Sequence, residues 1–147
     1  MKVGIVGTGM IVRMVAPNLA SWGIEVTAVA GTPNTLDQTN ELADEYGAAG
    51  RYGDYHDLVV DPNVDTVYVA VPNFLHYAVT EAALRAGKDV VCEKPLASNF
   101  REAQQLADIA REEGRFLWEA VVTTRQPNFK LVRDELLPRI GTVKQVQ

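Results

Sequence analysis

The chain has 147 residues, enough for one domain with a substantial core. Hydrophobic residues make up 47% and charged residues 22%, a globular balance without the charge excess of a disordered chain. The formal net charge is −5 and no Lys/Arg cluster stands out, which speaks against nucleic acid or an anionic membrane as partner.

The opening "MKVGIVGTGMIV" has the apolar run of a secretory start. Gly7 and Gly9 interrupt it, Arg13 closes it and no clean cleavage site follows, so it reads better as a first strand and a turn. "KVGIV" (2–6) is that strand, and a helix follows from about Gly9 to Ser21 with Pro17 inside, where a kink or a shortening is expected. "EVTAVA" (25–30) is the second strand. "TLDQTNELADEYG" is a helix in which Thr35 and Gln38 can form a capping box and Gly47 supplies the stop. A short strand near Arg51 and a short helix capped by Asp54 come next, then the strongly β-branched "DTVYVAV" (65–71).

Asn73 is expected to cap a helix running to Arg85 or Ala86, and "KDVVC" is the next strand. Ser98 is the expected cap of a helix whose apolar Ala103, Leu106, Ala107 and Ala110 repeat at i, i+3, i+4, i+7. "RFLWEAVV" (115–122), a helix around 128–137 and a strand in "TVKQVQ" (142–147) complete the chain. Strands alternating with helices, the central ones apolar on both faces, define the fold class as α/β: a doubly wound parallel sheet with helices on both sides. No run of 18 apolar residues exists to span a membrane. Cys92 is the only cysteine, so no internal disulfide forms and a reducing, cytoplasmic location is expected.

"GIVGTG" places Gly7 and Gly9 between the first strand and the first helix. A side chain there would keep a pyrophosphate from the backbone N–H groups, and the helix N-terminus adds a favourable partial charge. Val12 holds the place of the third glycine in a G-x-G-x-x-G fingerprint, which implies slightly wider helix–strand spacing. An acid at the end of the second strand would bond the 2′-OH of NAD and repel a 2′-phosphate. Ala30, Gly31, Thr32, Pro33 and Asn34 stand there instead, without an acid and without an Arg. NAD and NADP both stay open, with the balance tipped to NADP. An S-adenosylmethionine site shares the glycine turn but ordinarily wants an acid here, which makes it the weaker alternative.

"DVVCEKPLAS" (89–98) begins as a buried strand and stops on Glu93, Lys94 and Pro95. In an open parallel sheet ligands bind beyond the carboxyl ends of the strands, so Gly7, Thr32, Pro72 and Lys94 share one edge. An ammonium there bonds a substrate hydroxyl, polarises a carbonyl or passes a proton. Glu93 is expected to orient Lys94, and Pro95 to fix the turn. The abrupt change from strand to helix cap makes Lys94–Pro95 a candidate for a cis peptide.

These segments together resemble the Gfo/Idh/MocA oxidoreductases. The resemblance rests on "VGIVGTGMI", on Pro72-Asn73-Phe74-Leu75-His76 in the P-N-x-x-H form, on "AGKDVVCEKPLA" and, loosely, on "TTRQPN" (123–128). It implies a Rossmann-type dinucleotide-binding domain. Gly7, Thr8, Gly9, Met10 and Ile11 would cradle the pyrophosphate, and Thr32 would face the adenosine ribose. Val71, Pro72, Asn73 and His76 would line the nicotinamide half, with Glu93 and the catalytic Lys94 beside the ring. It further implies hydride transfer to or from a sugar, polyol or related carbinol, with no metal. Residues 1–122 would form the cofactor domain, and 123–147 a connector helix and the first strand of a substrate domain absent from this sequence. Partners would be a small-molecule substrate and, as an open question, a second copy of the chain. The competing reading is a redox-silent dinucleotide-binding sensor or scaffold.

Overall fold

The structure is a computed structural model and describes residues 1–142 and 144. Six strands form one parallel sheet: β1 (Lys2–Val6), β2 (Glu25–Ala30), β3 (Gly50–Tyr52), β4 (Thr66–Val69), β5 (Asp89–Cys92) and β6 (Leu117–Glu119), in the order β3-β2-β1-β4-β5-β6. The helices between them are α1 (Met10–Ser21), α2 (Leu36–Tyr46), α3 (Tyr55–Val59), α4 (His76–Arg85) and α5 (Phe100–Glu112). The pleat divides the core in two. In β4, Val67 and Val69 face the α3–α4–α5 layer with Leu84, Leu106 and Ile109, while Tyr68 faces the α1–α2 layer with Ile5, Val12 and Leu42.

Register carries past each strand's end. Gly7 N donates to Ala30 O at 2.9 Å, Ala70 N to Val6 O at 2.9 Å, Glu93 N to Val69 O at 2.9 Å and Ala120 N to Cys92 O at 2.8 Å. The strand exits therefore stop level with one another, and the order reverses between β1 and β4. That is the topological switch point at which open α/β sheets bind ligands.

Several local expectations need correction. Pro17 does not shorten α1, which continues to Ser21; the Asn18 amide donates to Met14 O at 3.2 Å and Val15 O at 3.4 Å in the same stretch. The cap of α5 is Asn99 rather than Ser98: its Oδ1 accepts Glu102 N at 3.1 Å from an extended backbone, and Glu102 Oε2 accepts Ser98 N at 3.0 Å. Asn73 does not cap α4 but opens a 3-10 turn, Asn73–Leu75, that leads into it. The Thr35–Gln38 box does not form, because the Thr35 hydroxyl takes the Thr32 N–H at 2.8 Å. β6 is three residues long, shorter than the segment 115–122.

After β6 a 3-10 turn, Val122–Arg125, leads to the helical stretches Pro127–Leu131, Val132–Leu136 and Leu137–Ile140, which follow one another without a break. This arm leaves Phe129, Leu131, Val132, Leu136 and Ile140 exposed. The strand predicted over 142–147 rests on Val143 and Val146, which lie outside the described residues. Among the described residues no helix is long and apolar enough to cross a membrane.

Candidate functional site

At the switch point lies a cleft of about 470 Å³, lined by Gly7, Thr8 and Gly9 on one side, Gly31, Thr32 and Thr35 on the second, and Val71, Pro72 and Leu75 on the third. The two turn glycines serve different ends. Gly7 has φ +123°, and a Cβ on it would lie 2.2 Å from Ala70 O, so the chain path itself demands glycine. Gly9 has no such constraint: a Cβ there meets nothing within 4 Å. What its missing side chain preserves is the open approach to the backbone at the start of α1, the fit a pyrophosphate requires. Met10 and Ile11 form the first turn of α1, with Met10 exposed.

The β2 exit is a knot of threonines. Thr35 N donates to Thr32 O at 2.9 Å, the two hydroxyls lie 3.1 Å apart, and Thr39 Oγ1 donates to Thr35 O at 2.9 Å. Two hydroxyls thus line the end of the cleft where an adenosine ribose would lie, with no carboxylate among the lining residues.

The β5 exit turns at a cis Lys94–Pro95 peptide. Lys94 is exposed, and no ion pair joins it to Glu93 among the described residues. The Glu93 carboxylate instead accepts the Tyr68 hydroxyl at 2.8 Å. Burial first, and this carboxylate second, push the Tyr68 phenol well above its ordinary value, so it stays a donor. Both side chains face the α1 side of the sheet, where they border a separate apolar concavity with Val15, Leu19, Val91 and Trp118. Glu93 therefore does not orient Lys94. The turn is held from elsewhere, since Leu96 N donates to Glu119 Oε1 at 2.9 Å.

Comparison with known proteins agrees with this geometry. The family described as "Oxidoreductase family, NAD-binding Rossmann fold", GFO_IDH_MocA, matches residues 1–121. The chain belongs to the Gfo/Idh/MocA oxidoreductase family. It is 36% identical over 149 residues to an uncharacterized oxidoreductase, ORF334, of Rhizobium meliloti, covering 99% of this chain and 44% of that protein. It is 33% identical over 145 residues to the scyllo-inositol 2-dehydrogenase (NADP(+)) of Bacillus subtilis (strain 168), covering 98% and 43%. Among solved structures, KijD10, a 3-ketoreductase from Actinomadura kijaniata in complex with NADP, superposes with a TM-score of 0.84 at 34% identity, covering 92% of this chain and 43% of that one. The chain spans less than half the length of these relatives.

Within this Gfo/Idh/MocA frame, the cleft gathers Gly7, Thr8, Gly9, Thr32, Val71 and Pro72 from the residues predicted to bind cofactor. It also takes in Thr35, Tyr55 and Leu75, which the sequence reading missed. Thr35 reads as a cap, and nothing in the spacing of Tyr55 marks it. Asn73 is exposed in its 3-10 turn. His76 is 1% exposed and faces main-chain carbonyls, so its ring does not line the cleft. Among the described residues no group of three His, Cys, Asp or Glu side chains gathers as metal ligands would.

Proposed function

We propose that this chain forms the cofactor side of an NAD(P)-dependent oxidoreductase that moves hydride between nicotinamide C4 and the carbinol or carbonyl carbon of a sugar, polyol or related compound. The observation that carries this reading is the open approach over Gly9, at the switch point of the sheet, with Lys94 two strands along the same edge. When bound, the dinucleotide supplies the hydride acceptor or donor. The backbone of Gly7–Gly9 and the first turn of α1 receive the pyrophosphate. Thr32 and Thr35 offer hydroxyls at the adenosine ribose, and the missing acid admits a 2′-phosphate, which favours NADP. Val71 and Pro72 exclude water at the nicotinamide end. Lys94, exposed at the β5 exit, holds the substrate oxygen and gives or takes its proton. A lone buried thiol fits work in the reducing cytoplasm.

Lys94 and the cofactor form one wall of a reaction site. Holding the second reactant supplies about 7–11 kcal/mol of such a barrier, and in this reading that task falls to sequence outside these 147 residues. Titration with NADPH and NADH, followed by nucleotide fluorescence, should show binding with NADPH the tighter, and loss of binding in Gly9→Asp. Equal binding by Gly9→Asp would move the site elsewhere. Turnover of polyols or aldoses by the full-length protein, lost in Lys94→Ala, separates an oxidoreductase from a redox-silent sensor. Turnover by the 147-residue chain alone would show that both walls are already here.

A further inference from the structure

Lys94 has a long, exposed side chain and forms no ion pair among the described residues, so the position of its ammonium depends on the backbone that carries it. Three elements hold that backbone. Glu93 N donates to Val69 O of β4, Leu96 N donates to the Glu119 carboxylate of β6, and Pro95 O faces Nδ1 of His76 at 2.6 Å. The third fastening is unlike the others, because the same imidazole also reaches a second turn: its Nε2 lies 2.9 Å from Val71 O. Val71 is the β4 exit residue that lines the cleft, and Pro95 directly follows Lys94. One side chain at the start of α4, 1% exposed, thus touches both turns that frame the nicotinamide end.

The chemistry of the two contacts is demanding. A carbonyl oxygen only accepts, so the ring bonds either one through an N–H, and the tautomer sets which of the two nitrogens carries it. An apolar residue would fill the same volume at the first turn of α4 and leave Pro95 O without this partner. Packing alone therefore does not account for an imidazole here.

We propose that His76 is the positioning residue for Lys94, fastening the Lys94–Pro95 turn to the cofactor wall at Val71 and so fixing the distance between the ammonium and the cofactor. The proposal rests on the reading of Lys94 as the group that handles the substrate proton. It gives His76 a role behind the cleft rather than in it.

Two measurements test it. In the 147-residue chain, His76→Phe keeps an aromatic ring and removes both ring nitrogens, while His76→Asn keeps a donor near the Nδ1 position. Amide exchange at Leu96 should quicken about five- to tenfold in His76→Phe and less in His76→Asn, while Val90 within β5 stays unchanged. Equal acceleration at Leu96 and Val90, or none at Leu96, would overturn the proposal. In the full-length protein, His76→Phe should lower kcat about ten- to a hundredfold, since a displacement near 1 Å has that cost, with a much smaller change in cofactor affinity. On a Lys94→Ala background the same substitution should cost nothing further, because the two act as a unit. Losses that multiply would refute the coupling. The Leu96 response in the 147-residue chain, together with no turnover by the unsubstituted full-length protein, would support the fastening and overturn the oxidoreductase reading.

Discussion

Gly7 and Gly9 stand two residues apart and are glycine for opposite reasons. For Gly7 the backbone decides, with φ +123° and Ala70 O in the space of any Cβ. Gly7→Ala should therefore cost about 2 kcal/mol or more of stability, read from denaturant unfolding. Gly9→Ala should leave the unfolding midpoint in place, because a Cβ there meets nothing in the protein, and weaken cofactor binding, because in the proposed reading it fills the pyrophosphate's approach. Comparable destabilisation in both would mean that the turn needs two glycines for its own geometry. Cys92 shows a different kind of residue-scale control. Burial pushes its thiol from 9.0 up to about 11, ahead of the smaller influences of Thr80, Glu119 and Glu93. The folded value lies above the unfolded one, so this thiol's contribution to stability is complete below about pH 9 and is lost as pH rises through about 11. Alkylation at about pH 8 should be negligible in the folded chain and prompt in denaturant; fast native alkylation would show that β5 opens easily.

Among the elements, the strands are legible and the caps are not. β4 and β5 stand out by their β-branched runs because both faces are covered, and periodicity marks α5, where Leu106 and Ala110 of the expected repeat are buried, Ala103 and Ala107 are half-buried, and Ile109 joins the core. A cap depends on a single backbone conformation, and two adjacent capping residues look alike in sequence. Ser98 and Asn99 are such a pair, and Asn99 wins because its extended backbone aims its Oδ1 at Glu102 N. Asn99→Ala should cost about 1 kcal/mol, whereas Ser98→Ala should be nearly neutral, since Ser98 contributes its backbone N–H to Glu102. Equal losses in urea unfolding would put the cap back at Ser98. The same uncertainty explains Asn73 and Thr35, whose polar side chains suit several turns equally well. In α1, Pro17 removes one donor but sits in a helix otherwise held by buried Val12, Ala16 and Leu19, so packing outweighs the local preference.

At the scale of the molecule, the parallel sheet buries both layers of its core between residues 3 and 120, while Pro127–Ile140 adds no buried residue. Limited trypsin should therefore cut first at Arg125, Lys130 and Arg133, and the product ending near residue 125 should keep its unfolding midpoint and its cofactor affinity. A midpoint that falls with the cut would show that the arm covers part of the sheet in solution, where the apolar concavity beside Trp118 lies open. The sequence by itself determined the alternation of strands and helices, the parallel sheet and the glycine turn, because hydrophobic period and residue size act locally. It also marked Lys94, because a charged residue followed by proline cannot continue a buried strand. Only the tertiary structure decided which side chains meet across strands. Glu93 and Lys94 are adjacent in the chain, yet the pleat sends Glu93 to Tyr68 on the α1 face, 25 residues away in sequence. His76 reads as a site residue and folds as a buried brace, because its partners at Val71 and Pro95 come together only when β4 and β5 pair.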